Sequence, residues 1–204
     1  MKKITSIDLF AGVGGMRISL HRALNRLHLK DECKLYSEIN SYSRQTYDLN
    51  FPQTPLIEDI KSVKKNEISS KIPDHDILLA GFPCQPFSRA GISKRKNLNR
   101  SHGFDDKDQG DLFFNILDIL KAKKPKGFIL ENVQNLRNYQ DGKILDEMIK
   151  KLSKHYYVPK PQVLDAQDFG LAQRRKRIFI VGFLNFNGKF NYPEPTFKKT
   201  IIKD

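Results

Sequence analysis

Cysteine is scarce in this chain: its 204 residues hold two, Cys33 and Cys84. That is too few for a disulfide framework, and the pair lacks the spacing of a zinc site. No metal centre is expected, and a reducing compartment, the cytoplasm, is implied. Long apolar runs are missing too, so no segment is suited to crossing a bilayer. The start, Met1-Lys2-Lys3-Ile4, imitates the charged region of a signal peptide, but Asp8, Gly12, Gly14 and Gly15 interrupt what would be its apolar stretch. There is no internal repeat and no low-complexity tract. Acidic residues are in deficit, 23 against 36 Lys and Arg, for a formal charge of +13. Such an excess fits a polyanionic partner, although charge by itself speaks to solubility and non-specific attraction. The bases gather at Lys61–Lys65, Lys94–Arg100, Lys121–Lys126 and Arg174–Arg177.

What is present is an alternation of short apolar runs with amphipathic stretches, the pattern of βα units around a mostly parallel sheet flanked by helices. A chain of this length suits one domain. Strands are expected at Ile4–Phe10, Lys34–Ser37, Pro55–Ile57, Asp76–Gly81, Gly127–Glu131, Tyr157–Asp165 and Arg177–Phe183. Helices are expected at Gly15–Leu27, Ser41–Asn50, Asp111–Lys121 and Lys143–His155, where apolar residues recur three and four apart. Arg89–Gly110 is long, polar and basic, with glycines at 91, 103 and 110. A loop of that length reads as a mobile lid. After Asn185 the chain turns polar and offers no further clear element.

Two constellations carry chemistry. The first is Asp8-Leu-Phe-Ala-Gly-Val-Gly-Gly15, which follows the first strand and opens the first helix, where open α/β sheets bind ligands. Its glycines permit a sharp turn and close backbone approach. Position 17 is arginine where a dinucleotide fingerprint wants glycine, and no P-loop lysine follows. Glu38 ends the second strand, where such folds bond a ribose diol, and Asp59 closes the third. Carboxylates without a phosphate cradle suit an adenosine cofactor lacking phosphates, such as S-adenosyl-L-methionine. The bland alternative is a pair of solvated strand-end carboxylates.

The second constellation is Gly81-Phe-Pro-Cys-Gln-Pro-Phe-Ser88, which presents Cys84 between two prolines after an apolar run. A thiol placed there can react, whereas Cys33 reads as a buried structural residue. Glu131, ending the run Gly127–Leu130, is expected to point into the same crevice. Gln173-Arg-Arg-Lys-Arg177 precedes another apolar strand, with Arg175 and Arg177 expected on one face and Lys176 opposite.

In order from Ile4 to about Pro195, these motifs resemble the cytosine-5 DNA methyltransferases. DLFAGVGG is similar to the family's cofactor loop, GFPCQPFS to its nucleophile motif, ENV to its acid motif and QRRKRIFIVG to its arginine motif. The resemblance implies a Rossmann-like methyltransferase fold using S-adenosyl-L-methionine and acting on double-stranded DNA in a restriction-modification system. It further implies that Phe10, Gly12, Gly14, Gly15, Glu38, Ile39, Asp59, Ile60, Pro83 and Leu112 contact the cofactor. Cys84 would attack carbon 6 of a flipped cytosine, and Glu131, Arg175 and Arg177 would hold the base.

Departures accompany the matches. Asp108-Gln109-Gly110 stands where the family writes an arginine before the glycine, and Ile39 stands where an aromatic is frequent. The target-recognition region and the two last motifs are not in the sequence, which implies a catalytic part needing a second polypeptide that carries them. Competing readings are an inactive remnant, a transfer-RNA cytosine methyltransferase with a similar PCQ and ENV pair, and a basic nucleic-acid-binding module.

Overall fold

In a computed structural model, residues 2–83 and 110–196 are described. They form a seven-stranded sheet: β1 (Lys3–Leu9), β2 (Lys30–Ser37), β3 (Leu56–Ile57), β4 (Ile77–Ala80), β5 (Gly127–Val133), β6 (Gln162–Asp165) and β7 (Lys176–Phe183). The order across the sheet is β3-β2-β1-β4-β5-β7-β6. Neighbours from β3 to β5 pair in parallel, and β7 runs antiparallel to both β5 and β6. The chain crosses from β3 on one edge to β4 near the centre, so the carboxyl ends of β1 and β4 flank a crevice where the order reverses.

Among the described residues, five α-helices accompany the sheet: α1 (Gly15–Arg26), α2 (Ser41–Asn50), the single turn α3 (Ile68–Lys71), α4 (Gly110–Lys123) and α5 (Lys143–Leu152). Two of them show their local cause plainly. Asn40 caps α2 by accepting a bond from the Ser43 amide. In α5, Ile144, Leu145, Met148 and Leu152 fall on one buried stripe, and Glu147 pairs with Lys151 on the other side. On the sheet, Phe128 and Leu130 of β5 and Ile178 and Ile180 of β7 point to the same buried side and join that stripe in the main core.

Three boundaries differ by three residues or more from those expected, and others by one or two. β2 starts at Lys30, four residues early, because Lys30–Cys33 pair with Lys3–Ser6 and a bulge between Ser6 and Ile7 restores register. Lys3–Glu32 bridges the exposed edge of that extension. The expected strand Tyr157–Asp165 reduces to one bridge, Tyr157 with Phe183, followed by Gln162–Asp165. Pro159 and Pro161 have no amide to donate, which breaks the ladder between them. The expected helix Lys143–His155 ends at Leu152, and His155 and Tyr156 both turn back onto its carbonyl. The loop expected at Arg89–Gly110 lies, except for Gly110, outside the described residues.

Candidate active site

The crevice is built from strand ends. After Leu9 the backbone enters the left-handed region at Phe10 (φ 55°), Gly12 (φ 55°) and Gly14 (φ 90°) before α1 begins. Gly14 is obligatory: a Cβ there would stand 2.6 Å from Cε2 of Phe51. At Gly12 and Gly15 a Cβ would meet nothing within 4 Å, so the backbone faces open space and a ligand can approach it. Glu38, just past β2, uses both oxygens to fasten this loop. Its Oε2 accepts the Gly12 amide and its Oε1 the Asn40 amide, each at 2.8 Å.

The other expected cofactor residues take different places. Asp59 caps a 3-10 turn by accepting the Lys61 amide at 2.9 Å. Ile60 is 2% exposed and belongs to the core below this rim, while Ile39 is 71% exposed. Pro83 is exposed, and Leu112 packs half-buried against the core. Arg17 lies beneath the loop, stacked 4.0 Å from the Phe51 ring centre and donating to Tyr47 and Thr54. It fills space that a fingerprint glycine would leave open.

Asp8, which sequence reasoning did not single out, is strongly perturbed. It is 1% exposed, and neither carboxylate oxygen has a hydrogen-bond partner among the described residues. Burial pushes its carboxyl up to about 8, against the opposing pull of the Arg17 charge. Cys33 nearby is also buried, and burial raises its thiol, which is the behaviour of a structural cysteine.

Across the crevice, Glu131 and Arg177 meet. Residues 131 and 133 of β5 lie opposite 179 and 177 of β7, which brings the carboxylate and the guanidinium to the same side of the sheet. Arg177 Nε donates to Glu131 Oε1 at 2.8 Å. The position a Cβ on Gly81 would take lies 3.5 Å from Glu131 Oε2, 3.8 Å from Met16 Sδ and 3.9 Å from the Phe10 carbonyl oxygen. The glycine loop, the end of β4 and the Glu131–Arg177 pair therefore converge at Gly81. Buried Asn132 donates from Nδ2 to the Phe82 carbonyl at 3.2 Å, tying the segment that leads to Cys84 onto β5. Sequence reasoning did not assign Asn132 that role. Its place directly after Glu131 on an otherwise apolar strand was the available signal.

Arg175 behaves differently from Arg177. It precedes β7, is exposed, and gives its amide to Asp165 Oδ1 at 2.9 Å. The alternation expected to pair the two arginines does not extend that far. Cys84 lies outside the described residues. No cluster of His, Cys, Asp or Glu among the described residues could hold a metal ion.

A glycine turn open to a ligand, a carboxylate fastening it and a carboxylate–guanidinium pair at its far wall make up the crevice. The family model for the C-5 cytosine-specific DNA methylases matches residues 4–204. The chain belongs to that family. Among curated methylases, it is 47% identical over 198 residues to the type II methyltransferase M.HaeII of Haemophilus aegyptius, covering 96% of this chain and 55% of that protein. It is 42% identical over 198 residues to M.NlaX of Neisseria lactamica, covering 97% and 58%. The chain thus spans a little over half the length of those relatives. In fold it is similar to the Entamoeba histolytica methyltransferase EhMeth (TM-score 0.72, 24% identity, 98% of this chain and 58% of that one). The Schizosaccharomyces pombe Dnmt2 methyltransferase is another such structure (TM-score 0.67, 22% identity, 93% and 52%).

Proposed function

We propose that this chain is the catalytic part of a DNA cytosine-5 methyltransferase of a restriction-modification system. The Glu131–Arg177 pair beside Gly81, three residues before Cys84, is the observation that carries the reading. A carboxyl group next to a guanidinium matches the edge of cytosine, where a ring nitrogen and a carbonyl oxygen lie side by side. The identity to type II DNA methyltransferases favours DNA over transfer RNA as the substrate.

S-adenosyl-L-methionine, when bound, supplies an electrophilic methyl group. The open backbone at Gly12 and Gly15, with Phe10 and Glu38 beside it, fits a cofactor that carries no phosphates, and Asp59 stands at the next strand end. Cys84 adds through its thiolate to carbon 6 of the extruded cytosine, and the displaced ring electrons reach nitrogen 3. Glu131 supplies a proton there, and Arg177 holds the carbonyl oxygen. Carbon 5 becomes nucleophilic and takes the methyl group. Loss of the carbon 5 proton to a base then expels the Cys84 thiolate, nitrogen 3 returns its proton to Glu131, and the aromatic ring is restored.

A second polypeptide, or a further segment, supplies target recognition. Strands in a parallel sheet are ordinarily covered on both faces. Here Ile129, Val133 and Phe179 are only half-buried on the Glu131 side. Among the described residues, Met16 and Leu20 of α1 are only half-buried, Ala23 on the same stripe is exposed, and Leu27 at the helix end is 66% exposed.

The test is transfer of labelled methyl from S-adenosyl-L-methionine to DNA or to transfer RNA, with and without the product of an adjacent open reading frame. DNA labelling that needs the second product is expected. Cys84→Ser should abolish transfer, a loss on the order of a thousandfold or more, while leaving cofactor affinity nearly unchanged. Persistent turnover in that variant, or no crosslink between Cys84 and a 5-fluorocytosine substrate, would remove the assigned nucleophile.

A further inference from the structure

A second polar cavity, of about 410 Å3, opens on the opposite side of β7 from the Glu131–Arg177 pair. Gln134, Asn135 and Arg137 come from the turn that follows β5, Asp165 and Asp168 from the end of β6 and the turn after it, and Lys176 from the first position of β7. Lys176 is one residue from Arg177, and Gln134 is three from Glu131, so the cavity adjoins the reacting pair through two short stretches of backbone. Its volume is in the range of a site for one nucleotide-sized ligand.

The charges in it are not all free. Asp165 spends Oδ1 on the Gln167 and Arg175 amides, at 3.3 and 2.9 Å, and so shapes the wall. Arg137 and Lys176 form no ion pair among the described residues, and neither does the Asp168 side chain, whose residue engages Thr196 only through its carbonyl. This contrasts with the lysines at the other end of the sheet. There Lys65, Lys121, Lys123 and Lys126 are matched to Asp118, Asp74 and Asp76. Two uncommitted cations beside carboxamides form a subsite for an anion that also carries hydrogen-bonding groups.

We propose that this cavity binds one sugar–phosphate unit of the DNA strand next to the extruded cytosine, with Arg137 and Lys176 on the phosphate. The assignment rests on the DNA methyltransferase reading and goes beyond it by naming residues outside the reacting constellation. Anchoring the backbone on one side of β7 while Glu131 and Arg177 hold the base on the other would fix the flipped nucleotide from two sides. Arg137 and Lys176 are positioning residues in this scheme. Asp168 limits the affinity for the anion by repulsion.

The experiment is a salt titration of DNA affinity in the assembly that methylates DNA, using a duplex that the wild type modifies, with Arg137→Gln, Lys176→Gln and Asp168→Asn beside it. Each cation variant is expected to bind about tenfold more weakly at low salt and to lower the slope of log affinity against log salt by about one. Affinity for S-adenosyl-L-methionine should stay at the wild-type value, which also verifies folding. Asp168→Asn should bind DNA more tightly. Wild-type slopes in both cation variants, or weaker binding by Asp168→Asn, would overturn the subsite. A wild type that modifies transfer RNA and no DNA would instead sink the functional reading, and this proposal with it.

Discussion

Asp8 shows how one residue can be costly to the fold at the place where a site is built. A carboxyl with a folded-state value near 8 takes up a proton on folding that the unfolded chain, near 4, has already released at neutral pH. Between about pH 4 and 8 the native state therefore holds the extra proton, and stability falls as pH rises through that window. Above the folded value the contribution levels off. Asparagine mimics the neutral carboxyl and removes the titration. In cofactor-free protein, the thermal midpoint of Asp8→Asn should gain on the wild type steadily from pH 5 to 8 and run parallel beyond. A gap that does not change with pH would mean that Asp8 titrates near its ordinary range. Nothing in the order of residues announces this: Asp8 sits in an apolar strand, and only the packing of α1 and α2 above it, with Arg17 wedged between, excludes water.

At the scale of elements, close approach decides more than propensity. Gly182 lies in β7 directly opposite Phe128 of β5, and a Cβ there would fall 2.2 Å from two atoms of the Phe128 ring. Phe128 is itself held edge-on by Tyr156, so the ring cannot retreat freely. Gly182→Ala should cost about 1–3 kcal/mol, read as a lower urea midpoint, and Phe128→Leu in the same chain should recover part of that loss. Equal stability of Gly182→Ala and wild type would mean that the two strands can separate without penalty.

The same scale shows which parts of the structure could be read from the sequence. All seven strands were visible as apolar runs, and α2 was visible to the residue from its periodicity. The polar start of β2 was hidden, since Lys30-Asp-Glu-Cys33 has no strand pattern and is held by pairing with Lys3–Ser6. Glu131 and Arg177 were legible as candidates because each stands at the end of an apolar run. Their contact was not, because it depends on β7 entering the sheet reversed between β5 and β6. The cavity lined by Arg137 and Lys176 was invisible for the same reason: its walls are 39 residues apart in the chain and meet only through that reversal.

For the whole molecule, the distribution of charge and the coverage of the sheet point the same way. At the amino ends of the strands, lysines are paired with aspartates, and Asp76 is held near 2: burial alone would raise it, but Lys126 and the Thr5 amide and hydroxyl outweigh that. At the carboxyl ends, Arg137, Arg174, Arg175 and Lys176 have no ion pair among the described residues. These cations at the crevice suit a polyanion docking there, in a chain whose formal charge is +13. The half-covered Glu131 side adds a second requirement. An apolar stripe of Met16, Leu20, Ala23 and Leu27 on α1 and its end stabilises the fold only when something removes it from water, at roughly 25 cal/mol per Å2 buried. If a second polypeptide completes the enzyme as proposed, its addition should therefore raise the thermal midpoint by several degrees. Replacing Leu20 and Leu27 by glutamine should erase most of that rise while leaving the midpoint of the isolated chain within about a degree. If the double variant keeps the full rise, the completing polypeptide docks elsewhere, and the exposed stripe is only a tolerated apolar surface.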